Sequence, residues 1–196
     1  MRVIGLTGGI ATGKSQVSRW LREAGAVVVD ADALVHAAQR RGRPAWREIW
    51  LAFGWPVLLA DGNLARRRLG RLVFGDPALR ERLNAIMRPG IQRLILQEVE
   101  RNRQAGVATV VLDVPLLIEG GLYRTVDEVW LVFATPDQQV ARVMARDRVP
   151  PEAARQRVAA QMPIDAKVGY AHRVLDNTGS LEALRQQVFA AWHDVE

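Results

Sequence analysis

The sequence contains no cysteine and only three histidines, and these absences restrict its chemistry. Without cysteine, neither a disulfide framework nor a thiolate metal site can form. His36, His172 and His193 are far apart along the chain and cannot supply the paired spacing of a helical zinc site. Magnesium, which prefers oxygen ligands, is therefore the metal that we expect.

Lysine is nearly absent as well: Lys14 and Lys167 are the only lysines among 27 lysine and arginine residues. The positive charge, +6 net, therefore comes mostly from arginine. One interpretation is a genome that favours arginine codons. The other is an arginine-lined site for polyphosphate, because guanidinium groups bind phosphate in a bidentate manner. We do not expect nucleic acid as a partner, because the arginines are dispersed and no RNA-binding aromatic motif accompanies them.

A long apolar run is missing near the amino terminus, where Gly5, Gly8 and Gly9 interrupt a short hydrophobic stretch. Such a stretch is too short for a signal peptide or a membrane span. We therefore expect a cytoplasmic protein with no membrane partner. At 196 residues the chain is expected to fold as one domain, monomeric or weakly homo-oligomeric.

Hydrophobic patterning predicts strands that alternate with helices, and the first helix covers 14–23. The candidate buried strands are 2–6, 26–29, 107–112, 129–133 and, more weakly, 173–175. Alternation of this kind is typical of a parallel sheet. The predicted fold class is therefore α/β, a three-layer sandwich around a five-stranded parallel sheet.

Two insertions interrupt this alternation. Residues 33–108 are mostly helical in pattern, with repeated glycine and proline breaks, and predict an inserted helical lobe. Residues 146–167 are rich in arginine, bend at prolines, and are the candidate for a mobile lid. The predicted core is therefore 1–32, 109–145 and 168–196.

The motif with the clearest chemistry is GGIATGKS, which matches GxxxxGK[ST] between a predicted strand and a predicted helix. Its glycines let consecutive N–H groups face a polyphosphate at the helix N-terminus. Lys14 would contact the β- and γ-phosphates of ATP, and the hydroxyl of Ser15 would bind Mg²⁺. The predicted nucleotide-binding residues here are Gly9, Ile10, Ala11, Thr12, Gly13, Lys14, Ser15 and Gln16.

Carboxylates follow two predicted strands, at the edge where a parallel sheet forms its ligand crevice. Asp32 is the candidate general base for a hydroxyl acceptor, and capping remains the alternative for it. Asp30 could cap a helix or hold a magnesium-bound water. Asp113 fits a Walker-B carboxylate that binds Mg²⁺ through water, with a turn aspartate as the alternative. The guanine-reading motif Asn-Lys-x-Asp is absent, so a GTPase is not expected.

Two further groups of side chains allow a functional and a structural interpretation. Arg142 and Arg146 are four residues apart, so on a helix they share a face and could grip a transferring phosphoryl group, or they could be solvated surface residues. Aromatic residues of the predicted lobe could pack its core or stack on a ligand. These aromatic residues are Trp46, Trp50, Phe53 and Trp55.

Several segments together resemble the dephospho-CoA kinase family, over almost the whole chain. The segments are IGLTGGI at 4–10, DAD at 30–32, GNL at 62–64, LNAI at 83–86, LDVPLL at 112–117 with Glu119, and DNTG at 176–179. Single matches are Arg66, Leu69, Phe74, Gln139, Arg142, Arg146, Arg157 and Gln161. The resemblance implies a kinase of the nucleoside-monophosphate-kinase type that transfers the γ-phosphoryl group of ATP to the ribose 3′-hydroxyl of dephospho-CoA.

The resemblance also implies residue roles. Asp32 would be the base and would touch dephospho-CoA in the helical lobe, and the segment after Arg142 would close as a lid. For the catalytic step the implied residues are Asp32, Lys14 and Arg142, and for the nucleotide Arg146 and Asn177 are added. The implied acceptor residues are Asp32, Arg66, Leu116 and Glu119.

The sequence also departs from the family pattern. Ala11 replaces a glycine, which matters only if its φ angle is positive, and Gln16 replaces a threonine. Arg88 and His172 stand where the family has histidine and aspartate, which affects the fit of the acceptor or the lid. Two other functions stay open: a kinase of the same fold with another small acceptor, and a regulator that binds nucleotide or RNA without catalysis.

Overall fold

The computed structural model describes residues 1–195, and for Phe74 it describes the backbone alone. The described residues form two compact units, one made of 1–29 with the chain from Val99 onward, the other of 30–98. The predicted helical lobe covers most of the second unit. Residues 99–108, which we placed in that lobe, group with the first unit.

The strands are β1 (Arg2–Gly8), β2 (Val27–Asp30), β3 (Thr109–Asp113), β4 (Glu128–Phe133) and β5 (Arg173–Asp176). They form one sheet in the order β2-β3-β1-β4-β5, so the strand that precedes the glycine-rich loop is central. β1 pairs in parallel with β3 and with β4, and β4 pairs in parallel with β5. The predicted α/β fold with a five-stranded parallel sheet is confirmed.

The helices are α1 (Lys14–Glu23), α2 (Ala31–Ala38), α3 (Pro44–Phe53), α4 (Arg66–Phe74), α5 (Pro77–Gln104), α6 (Pro136–Asp147), α7 (Pro151–Ala159), α8 (Ile164–Val168) and α9 (Leu181–His193), with short 3₁₀ helices at Trp55–Val57 and Leu122–Thr125. None of these helices, within the described part of the chain, is long and apolar enough to cross a membrane.

The core of the first unit lies between the sheet and its helices. β1 contributes Ile4 and Leu6 to this core, and α1 contributes Val17 and Leu21. Val17 and Leu21 are four residues apart, so they share the buried face of the helix. Trp130 of β4 is completely buried in the same cluster. Burial of these side chains fixes the end of β1 and the start of α1, and therefore the loop between them.

The second unit has its own core around Ile49, which is fully buried. Trp46, Trp50 and Phe53 are partly buried and pack against this core, as the structural interpretation of the aromatic set predicts. Trp55 is 73% exposed, and its ring meets the edge of Trp50 with 5.2 Å between centroids. Three members of the set therefore pack in the core of the second unit, whereas Trp55 is largely exposed to solvent.

Candidate active site

The glycine-rich loop joins the carboxyl end of β1 to the amino terminus of α1, as predicted. Gly13 is the N-cap residue with a left-handed φ of 100°, and the first turn of the helix has no acidic residue. Among the residues that the structure describes, no side chain caps the helix. The first N–H groups of a helix have no partner within it and carry a positive partial charge. The start of α1 is therefore suited to bind an anion.

Amide side chains lie close against the backbone of this loop. A Cβ atom on Gly9 would lie 2.5 Å from Oε1 of Gln139, and one on Gly13 would collide with Nδ2 of Asn177. Gln139 is buried and donates from Nε2 to the carbonyl oxygen of Ala134. A side chain at either position would force these amide groups to shift, so both glycines have a steric reason in addition to ligand binding.

Lys14 and Asp113 form an ion pair at the carboxyl end of the sheet, through Nζ and Oδ1. Ser18 donates its hydroxyl proton to the other oxygen of Asp113. Asp113 is 6% exposed, and a buried carboxylate is stable only when its oxygens have partners of this kind. We did not predict Ser18, although it follows Lys14 by four residues and therefore lies on the same face of α1.

Arg142 of α6 reaches the same loop. It donates to the carbonyl oxygen of Ala11 at 3.4 Å and to that of Asn177 at 2.9 Å. The Nδ2 of Asn177 donates to the carbonyl oxygen of Thr12 at 2.7 Å. Asn177 is 3% exposed, and its Oδ1 has no hydrogen-bond partner among the described residues. Arg142 and Asn177 therefore converge on the loop and leave a buried acceptor beside it.

Arg146, also on α6, has a different partner. Its Nε and Nη2 donate to the two oxygens of Asp147 at 2.7 and 3.1 Å, and Arg157 of α7 contacts the same carboxylate. The hydrogen bonds from Arg146 hold the pKa of Asp147 below its usual value and raise the pKa of Arg146. Arg142 thus contacts the loop, whereas Arg146 pairs with Asp147 on its own helix, and Arg157 joins that carboxylate to α7.

The region predicted as a lid comprises the end of α6, α7 and most of α8, and two side chains tie it to the rest of the first unit. Gln161 accepts a hydrogen bond from the backbone N–H of Ile10 at 2.8 Å. Lys167 is completely buried, and its Nζ lies 2.8 Å from Oε1 of Glu119. Sequence reasoning assigned no role to Gln161 or to Lys167.

Of the residues implied for the acceptor, Glu119 is thus paired, and Leu116 after β3 is 46% exposed. Arg66 belongs to the second unit and donates to the carbonyl oxygen of His36 at 3.3 Å. Gln16, implied for the nucleotide, accepts from Arg19 on α1 at 2.8 Å. Leu116 and Arg66 are therefore exposed, whereas the carboxylate of Glu119 is engaged within the first unit.

The two aspartates where β2 ends and α2 begins differ in their local roles. Asp30 is the N-cap of α2, and its Oδ1 accepts from the N–H of Ala33 at 3.0 Å. The capping alternative therefore applies to Asp30. Asp32 lies exposed in the first turn of α2.

His172, a departure from the family pattern, joins β4 to the chain just before β5. Its Nδ1 accepts from the N–H of Val129 at 3.0 Å, and its own N–H donates to the carbonyl oxygen of Val129. The hydrogen bond from the N–H of Val129 requires only one acceptor atom on the side chain at position 172. The histidine therefore has a structural reason at the edge of the pairing between these two strands.

Ala11 has a φ angle of 59°, which is the left-handed region that costs an alanine roughly 1–2 kcal/mol. We expect Ala11→Gly to raise the free energy of unfolding by about 1 kcal/mol, since relief of this strain exceeds the added entropy of glycine in the unfolded chain. Urea unfolding measures the change.

The matched control for this substitution is Ala190→Gly, on an exposed position of α9, where glycine should lower stability by about 1 kcal/mol. Opposite signs for the two variants would support strain at Ala11. A loss of stability in both would mean that the loop holds Ala11 without strain.

Oxygen donors suited to Mg²⁺ lie at the same end of the sheet. Among the described residues, no group of three or more His, Cys, Asp or Glu side chains could hold a metal ion. Mg²⁺ does not need such a cage, because it keeps several waters and binds one or two protein oxygens together with substrate phosphates. The hydroxyl of Ser15 and the carboxylate of Asp113 are donors of that type, so the residues fit this ion.

Comparison with known proteins agrees with this arrangement. The family model for dephospho-CoA kinase matches residues 2–183. Over 192 residues the chain is 52% identical to dephospho-CoA kinase from Symbiobacterium thermophilum, covering 98% of this chain and 80% of that protein.

Solved structures match it as well. The crystal structure of TT1252 from Thermus thermophilus has 37% identity and a TM-score of 0.82, covering 100% of this chain and 98% of the other. Dephospho-CoA kinase from Campylobacter jejuni has 25% identity and a TM-score of 0.74, with the same coverage. With its phosphate-binding loop at the end of β1 and these similarities along its length, the chain belongs to the dephospho-CoA kinase family.

Proposed function

We propose that the protein transfers the γ-phosphoryl group of ATP to the ribose 3′-hydroxyl of dephospho-CoA, forming coenzyme A and ADP, the last step of coenzyme A synthesis. The observation that carries the proposal is the position of Lys14, at an uncapped helix N-terminus and beside Asp113. A cation and free N–H groups at one place stabilise the phosphates during transfer. Membership of the family supplies the acceptor.

The reaction forms a bond between the 3′-oxygen and the γ-phosphorus and breaks the bond from that phosphorus to the β–γ bridging oxygen. ADP leaves with the electron pair, and the hydroxyl proton passes to the carboxylate of Asp32. Lys14 stabilises the charge on the phosphates, for which it exchanges its contact with Asp113. Arg142, already at the loop, adds a second cation.

Mg²⁺ is the ion that we assign to this site, held by Ser15 and, through water, by Asp113. When bound, it neutralises charge on the β- and γ-phosphates. The exposure of Ser15 in the first turn of α1 supports this role, because its hydroxyl is open to a ligand. The hydrogen bond from Ser18 supports it too, since it holds the carboxylate of Asp113 in place when Lys14 turns to the phosphates.

Further parts of the chain are assigned to binding. The Oδ1 of Asn177, which has no partner in the described part of the chain, is an acceptor that the N–H donors of a nucleotide can satisfy. Arg146 adds a cation on the nucleotide side. Residues 33–108 with Arg66 bind the acceptor, together with Leu116 and Glu119, and residues 146–167 act as a lid. The enzyme works in the cytoplasm as a monomer or weak homo-oligomer, without nucleic acid or membrane.

The proposal is tested by ADP release from ATP and Mg²⁺ with and without dephospho-CoA, with the product identified by mass. We expect release that depends on dephospho-CoA and yields coenzyme A. Lys14→Ala should lower kcat by about a thousandfold, because it removes a cation from the transferring group. Arg19→Ala removes one charge from an exposed position of the same helix and should leave kcat nearly unchanged.

Other outcomes point elsewhere. ADP release stimulated by shikimate or a nucleoside, but not by dephospho-CoA, would indicate another small-molecule kinase of this fold. Binding to RNA that weakens steeply with salt, without acceptor-dependent ADP release, would indicate a regulator.

A further inference from the structure

Gln161 lies in the loop between α7 and α8 and touches the phosphate-binding loop from outside it. Its Oε1 accepts a hydrogen bond of 2.8 Å from the N–H of Ile10, which is 151 positions earlier in the chain. The neighbouring residue is anchored as well, since the N–H of Met162 donates to Oε1 of Glu119 at 3.3 Å. Glu119 is in turn paired with the buried Lys167. The side chain of Gln161 is therefore bound to the loop, and the backbone after it is bound to Glu119.

The contact with Ile10 fixes which end of the amide remains available. A backbone N–H needs an acceptor, so Oε1 is committed to Ile10 and Nε2 is left with two N–H donors. Nε2 makes no hydrogen bond to any residue that the structure describes, although Gln161 is partly buried. A side chain is thus held in place by its acceptor end and offers its donor end beside a loop built to bind phosphate.

An anion is the ligand that suits such a donor. The transferring phosphoryl group spreads its charge over three equatorial oxygens, and donors fixed in advance stabilise that charge without reorganisation. Lys14 and the start of α1 belong to the loop and its helix, whereas Gln161 comes from the separate segment between α7 and α8 and adds a donor from another part of the chain. A neutral amide also adds a donor without changing the charge of the site.

We propose that Gln161 is a catalytic residue that donates from Nε2 to an oxygen of the γ-phosphoryl group. The role rests on the proposed phosphoryl transfer and adds to it a donor from the segment between α7 and α8. The alternative is a brace that holds this segment to Ile10 and touches no substrate. The two roles use opposite ends of one amide, so a single substitution separates them.

Gln161→Glu is that substitution, because it keeps an acceptor oxygen for Ile10 and replaces the donor by a second oxygen. A brace would keep its contact with Ile10, since a carboxylate accepts from an N–H at least as strongly as an amide does, and the added charge would then weaken ADP and an ATP analogue alike. A donor to phosphate would instead lose its hydrogen bond to the γ-phosphoryl group. We expect kcat to fall by about a hundredfold, with thermal stability unchanged.

Nucleotide binding gives a second measurement that does not depend on the acceptor. ADP lacks the γ-phosphoryl group, so Gln161→Glu should change its Kd little. The Kd of a non-hydrolysable ATP analogue should rise by about tenfold, the effect of losing one hydrogen bond to a charged group. Gln156→Glu adds the same charge at an exposed position of α7 and should affect neither ligand.

The results separate the two proposals. Normal kcat in Gln161→Glu, with an unchanged ratio of the two Kd values, would overturn the role of Gln161 and leave the kinase intact. Absence of dephospho-CoA-dependent turnover in the unmodified protein would overturn the proposed acceptor, whereas the ratio of Kd values would still report on Gln161. If Gln161→Glu bound ADP poorly, Gln161→Met with normal ADP binding would have to show the same selective loss of the analogue, and otherwise the proposal fails.

Discussion

Lys167→Met is expected to lower the free energy of unfolding by about 3–5 kcal/mol, the cost of breaking a buried ion pair by removing one partner. Lys167 is completely buried and lies 2.8 Å from Glu119, and its Nζ is 3.5 Å from the carbonyl oxygen of Pro115. Methionine fills a similar volume, so most of the effect comes from the carboxylate that is left behind. Oε2 of Glu119 already has no hydrogen-bond partner among the described residues.

The control is a double-mutant cycle. Glu119→Gln alone leaves the ammonium of Lys167 buried without its counter-charge and should also destabilise the protein. The double variant Lys167→Met with Glu119→Gln removes both charges, so it should recover much of the loss. Urea unfolding of the four proteins measures the coupling. If the two single losses simply add in the double variant, the pair does not stabilise the first unit.

Asp32→Asn is expected to lower kcat by about a hundred- to ten-thousandfold, the usual contribution of a positioned general base. Asparagine has nearly the same shape but cannot take the proton of the hydroxyl acceptor. The Kd of ATP should change little, because the proposed role of Asp32 is toward the acceptor. Steady-state kinetics at saturating substrates and a nucleotide titration measure the two quantities.

The chain offers a matched control in Asp30, two residues earlier. Asp30→Asn removes the same charge, but asparagine caps a helix about as well as aspartate and can accept from the N–H of Ala33. Turnover should therefore stay near normal. Near-normal turnover in Asp32→Asn would remove Asp32 as the base, and equal losses in both variants would indicate an effect of local charge.

Features that depend on neighbours in sequence were predictable. The helix over 14–23 follows from apolar spacing, and the strands follow from continuous apolar runs, with boundaries shifted by one or two residues. The loop with Lys14 follows from its motif. The roles of Asp32 and Arg146, inferred from position and spacing, and that of Asn177, implied by family resemblance alone, remain predictions.

Contacts between residues distant in sequence were not predictable. Ser18 and Asp113 are 95 positions apart, and Gln161 and Ile10 are 151 apart. Such side chains meet only in the folded chain, and the periodicity of apolar residues along the sequence does not predict these contacts. Lys167 was the last residue of the predicted lid, and its neighbours in sequence do not show that it is buried and paired with Glu119.

The central position of β1 has a consequence for synthesis on the ribosome. Its partners in the sheet are β3 and β4, and the pairing of Arg2 with Thr109 shows that the first of them emerges more than a hundred residues later. Until then a hydrophobic strand has no sheet to join. Such long-range pairing is slow and leaves apolar edges exposed, so nascent chains stopped before β3 should aggregate or recruit chaperones.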